Sequence, residues 1–85
     1  MKWIGYKPVI VETFRQLGEP SGAKLRVRPV SGQGLPVQMR VECSRDMRTK
    51  YPVGTKFRIQ AKIINKEGGP EFLYSHYNSK FEVLE

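Results

Sequence analysis

His76 is the single histidine of an 85-residue chain, and it stands in the run Leu73-Tyr74-Ser75-His76-Tyr77-Asn78. An imidazole among two phenols and a hydroxyl has the donors and acceptors to move a proton or to grip the edge of a base. Catalysis would also need a carboxylate or nucleophile at a recognisable spacing, and the sequence offers none. Zinc would need several Cys or His ligands, and one histidine with one cysteine, Cys43, falls short. Cys43 lies on the apolar side of an alternating stretch, where a thiol is a small buried hydrophobe rather than a nucleophile. Gly32-Gln33-Gly34 lacks the third glycine and the strand-to-helix setting of a phosphate-binding loop. The expectation is a binding protein rather than an enzyme, with no metal and no cofactor.

Charge supplies the stronger signal. Fifteen Lys and Arg against eight Asp and Glu leave a formal charge of +7. So large a surplus on so small a chain favours a polyanionic partner, DNA or RNA before others. If the segments 24–28, 35–43 and 56–64 are neighbouring strands, their outward positions gather Lys24, Arg26, Arg28, Arg40, Lys56, Arg58 and Lys62 on one face. Arg45 and Arg48 would sit at its rim. Arginine's planar fork suits phosphate oxygens, so these nine residues are the expected nucleic-acid contacts. Tyr51, Tyr74, His76 and Tyr77 are the candidates for stacking or polar contacts beside that face.

The outward positions of the three basic strands hold no aromatic residue. Sequence-tolerant binding of single strands stacks bases on aromatics, so phosphate contact with little sequence specificity is the expected mode. The competing reading is a protein-interaction or oligomerising module, with an acidic partner and Trp3 or Tyr77 as anchor. The two readings differ on the basic face. A continuous face free of acidic neighbours favours nucleic acid, whereas ion pairs across it favour a protein partner.

The elements that must position these groups are strands. Leu35, Val37, Met39, Val41 and Cys43 alternate with polar residues or proline, as in a strand with one dry face. Phe57, Ile59, Ala61 and Ile63 alternate with Lys56, Arg58, Gln60 and Lys62 in the same way. Lys24 to Arg28 alternates too, and Pro29 marks its end or an edge. Its spacing from the 35–43 segment predicts an antiparallel hairpin across Val30 to Gly34. Val9 to Phe14 is rich in β-branched residues and reads as a long first strand. Ser44 to Lys50 is a basic connector or a short helical turn, with Ser44 at its start and Met47 facing inward. Two short strands, around Phe72 to Ser75 and Lys80 to Leu84, close the chain.

Together these predict one all-β domain over residues 1–85, a small five- to six-stranded antiparallel barrel with at most one short helical turn. Its layout resembles the five-stranded OB-type barrel, whose connector between the third and fourth strands would fall at 44–50. Lys7, Pro8 and Glu12 interrupt any apolar run near the N-terminus, and no stretch is long enough to span a membrane. With one unpaired cysteine, this makes the cytoplasm the expected compartment.

Overall fold

The computed structural model describes residues 5–16, 24–65 and 68–84, with only the backbone of Lys24. Trp3 lies outside the described residues. The strands are β1 (Lys7–Gln16), β2 (Lys24–Pro29), β3 (Val41–Glu42), β4 (Lys56–Ile64), β5 (Phe72–Tyr74) and β6 (Glu82–Leu84). One short helix, α1 (Asp46–Thr49), lies between β3 and β4.

The sheet runs β2-β1-β4-β5-β3, and β6 pairs with β4. The long β1 serves two partners, pairing through Val11–Gln16 with β2 and through Lys7–Glu12 with β4. β5 and β6 both run antiparallel to β4, and residues 75–81 loop out between them. The sheet curls into a nearly closed barrel with the OB-like layout, and α1 occupies the connector before β4. No helix among the described residues is long and apolar enough to cross a membrane.

Three expectations are corrected. The barrel is not purely antiparallel, because β3 runs parallel to β5. The segment Leu35–Cys43 is not one strand, since only Val41 and Glu42 join the sheet. Pro36 has no N–H to give a ladder, and its carbonyl accepts from the Met39 N–H at 3.1 Å, which closes a turn instead. The apolar alternation survives only in part: Leu35 and Val41 are buried, but Val37 is 43 % exposed. Nor does Lys24–Arg28 form a hairpin with that segment, because its ladder partner is β1.

β1 alternates as a barrel wall should. Val9, Val11 and Thr13 are buried, while Ile10, Glu12 and Phe14 occupy the opposite face and are half-buried. Val9 and Val11 join Val27, Leu35, Val41, Met47, Phe57, Ile59, Ala61 and Leu73 in the core. Helix α1 is held by this packing. Met47 is 1 % exposed, as its inward reading required, and the Ser44 Oγ accepts from the Asp46 N–H at 3.2 Å. Tyr51, Phe57 and Phe81 meet edge to face, with ring centroids 5.2, 5.3 and 6.0 Å apart.

Two polar side chains hold loops against β1. Where β2 ends at the buried Pro29, the Gln33 amide continues the pairing like a short piece of backbone. Its Oε1 accepts from the Ile10 N–H, and its Nε2 donates to the carbonyls of Ile10 and Val30, all at 2.8 Å. At the other end of the barrel, the buried Thr13 Oγ1 accepts from the Gly54 N–H at 3.1 Å. Gly54 has φ of +93°, which favours glycine there.

Candidate nucleic-acid interface

The expected basic face does not assemble as the sequence suggests. It requires β2 and β4 to be neighbours, but β1 lies between them and brings Glu12 into register with both Arg28 and Lys56. The Glu12 carboxylate accepts from the Arg28 Nε at 2.9 Å and lies 3.8 Å from the Lys56 Nζ. On the far side of β4, Arg58 pairs with Glu82 at 2.5 Å. Lys62 is placed differently again, with its Nζ 5.2 Å from the centroid of the Tyr6 ring. The outer face of β4 is therefore ion-paired rather than continuously basic.

A different arrangement gathers four of the arginines. The barrel is closed by ladders all round except between β2 and β3, which approach one another without pairing. A cleft of about 610 Å³ opens along this seam. Arg26 and Arg28 of β2, Arg40 just before β3 and Arg48 of α1 all line it. Phe14 and Gln16 reach it from β1, and Val37, Gln38 and Met39 form the opposite wall. No carboxylate is among its lining residues in the described part of the chain.

Local structure explains how these side chains converge. The 36–39 turn prevents residues 35–40 from pairing with β2, leaving space where a hairpin ladder would have filled the seam. Phe14 is in register with Arg26, and the Arg28 guanidinium stacks 4.4 Å from the Phe14 centroid. A planar cation over a ring makes a flat platform of the kind that bases stack on. Across the cleft, Arg40 lies 4.7 Å over the Phe72 ring and bonds Glu42 at 2.6 Å. The pairs with Glu12 and Glu42 orient Arg28 and Arg40. Both arginines are more than a third exposed, so screening keeps these pairs weak enough to exchange for a phosphate.

The other expected contacts are scattered. Arg45 is exposed at the start of α1, and its carbonyl accepts from the N–H groups of Arg48 and Thr49. The Lys24 side chain lies outside the described residues. Tyr51 belongs to the aromatic group with Phe57 and Phe81, and Tyr74 is a half-buried residue of β5 opposite Lys62. His76 stacks on Tyr77 with centroids 4.6 Å apart, and its Nδ1 accepts from the Asn78 N–H at 3.1 Å. Neither His76 nor Tyr77 lines the seam cleft.

Phe14 is the residue that sequence reasoning missed. The signal was present, because Val9, Val11 and Thr13 fix the inward parity of β1 and so place Phe14 on the outside among charges. Cys43 is a half-buried thiol packed against the core. Burial pushes its pKa up from 9.0 to about 11, against the opposing pull of Arg48, so it is a protonated packing group at neutral pH. No group of three or more His, Cys, Asp or Glu among the described residues is placed to hold a metal ion. No protein-family model, curated protein or solved structure matches the chain.

Proposed function

We propose that the protein binds single-stranded nucleic acid in the seam between β2 and β3. The observation that carries this reading is the cleft itself: among the described residues, four arginines and a phenylalanine line it, and no carboxylate does. Arg26, Arg28, Arg40 and Arg48 meet successive phosphates, and a base lies against the Phe14–Arg28 platform. The apolar wall of Val37 and Met39 favours unstacked bases over a duplex, whose bases are turned inward. The cleft replaces the outer face as the site, so Lys56, Arg58 and Lys62 contribute long-range attraction rather than contacts.

The test is a fluorescence-anisotropy titration with a labelled single-stranded oligonucleotide. Arg26→Ala combined with Arg40→Ala removes two of four phosphate contacts. Affinity should drop by an order of magnitude or more, and the log–log salt slope should flatten by about 1.4. Lys56→Ala combined with Arg58→Ala removes the same charge from the outer face and should cost much less. Equal losses from the two pairs would reject the cleft. The alternative, a protein-interaction module, draws on Tyr77, which is 69 % exposed, and on the ion-paired outer face. It gains if no nucleic acid binds at low salt.

A further inference from the structure

Beyond the 36–40 loop lies a second cavity of about 490 Å³, and it differs in character from the cleft. Pro36, Met39, Pro70 and Phe72 make its walls apolar. Gln38, Met39 and Arg40 line both cavities, so a strand leaving the cleft over Arg40 meets the second one directly. Glu71 also lines the second cavity and is the one carboxylate among the described residues lining either. Neither a hydrogen bond nor an ion pair engages Glu71 among the described residues.

A carboxylate repels phosphate, so Glu71 is out of place in a pure phosphate track. It is in place opposite a base. We infer that this cavity takes a guanine base from the strand whose phosphates follow the arginines, with Glu71 as its recognition group. The inference rests on the binding mode proposed above. The chemistry that selects guanine is the pairing of donors. Guanine presents N1–H and the N2 amino group side by side, matching the two oxygens of one carboxylate. Adenine and cytosine present one amino group beside a bare ring nitrogen, which repels the second oxygen. Thymine and uracil present a single N–H between two carbonyls. The apolar walls take the ring faces, and their partial exclusion of water strengthens a charge-assisted bond.

The experiment compares oligonucleotides of about ten thymines, all-thymine or with one central guanine, adenine or cytosine. One central guanine should tighten binding roughly tenfold over the other three strands, as for a good bidentate contact. In Glu71→Gln the preference should vanish, while the all-thymine strand binds as well as before or slightly better. Glu71 is half-buried in a loop, so this variant should melt close to the parent, which a thermal scan checks. Equal binding of the four strands, or a guanine preference that survives Glu71→Gln, overturns the guanine site and leaves phosphate binding standing. Failure of every strand to bind at low salt overturns both.

Discussion

Gln33→Met is the most informative single change to the fold. Methionine matches glutamine in length but can neither donate nor accept as the amide does. The change removes three hydrogen bonds of 2.8 Å at the point where β2 stops supporting β1. The losses are unequal. The Ile10 carbonyl keeps a second donor, the Val30 N–H at 3.0 Å, but the Ile10 N–H loses its side-chain acceptor. A stranded, partly buried N–H costs about 1–3 kcal/mol, and the remaining bonds add a fraction of a kcal/mol each. The expected loss is about 2–3 kcal/mol, a fall in Tm of roughly 10–20 °C for a domain of this size. Gln33→Glu keeps the acceptor for Ile10 but turns a charged oxygen toward two carbonyls. Those carbonyls favour the protonated acid, so this variant should be more stable near pH 4 than at pH 7. Urea and thermal unfolding by circular dichroism measure both. A loss below about 0.5 kcal/mol in Gln33→Met would refute the view that this amide substitutes for the missing ladder.

Glu12→Gln releases Arg28 and Lys56 from their shared carboxylate, so nucleic-acid affinity should rise several-fold at low salt, while the salt slope, set by the same four phosphates, stays near the parent's. Unchanged binding would mean that Arg28 makes no phosphate contact. Phe14→Leu keeps apolar bulk but removes the ring, and should weaken single-strand binding by roughly tenfold with little change in Tm. Cys43 should react with iodoacetamide far more slowly than a free thiol at pH 8 and reach that rate only in denaturant. Because its folded-state pKa is raised, its contribution to stability is full below about pH 8 and declines as the pH climbs through 9 toward 11. A fast native-state reaction at pH 8 would contradict its burial.

How far the chain could be read depended on whether the relevant contact was local. β2 and β4 were legible because each alternates by itself, β1 because β-branched residues dominate it, and the turn at Met47 because one apolar residue in a polar connector has only the core to face. The stretch Leu35–Cys43 alternates as well, but Pro36 and the turn it accepts weigh more than parity, and only two residues reach the ladder. The basic face was misjudged for a non-local reason. That β1 separates β2 from β4 depends on how the barrel curls, and this one placement brings Glu12 between Arg28 and Lys56. Arg26, Arg28, Arg40 and Arg48 could be picked out as candidates, but their shared cleft was not legible, because it exists only where two distant segments fail to pair.

Under the proposed function, four arginines in the seam track the phosphates of a single strand. Anisotropy titrations of a labelled single strand, repeated from about 50 to 300 mM salt, test it most directly. Roughly micromolar or tighter binding is expected at the lowest salt, with a linear log–log plot of slope about −3, or 0.7 for each of four phosphates. Absence of binding at the lowest salt, or binding that ignores salt, would contradict it.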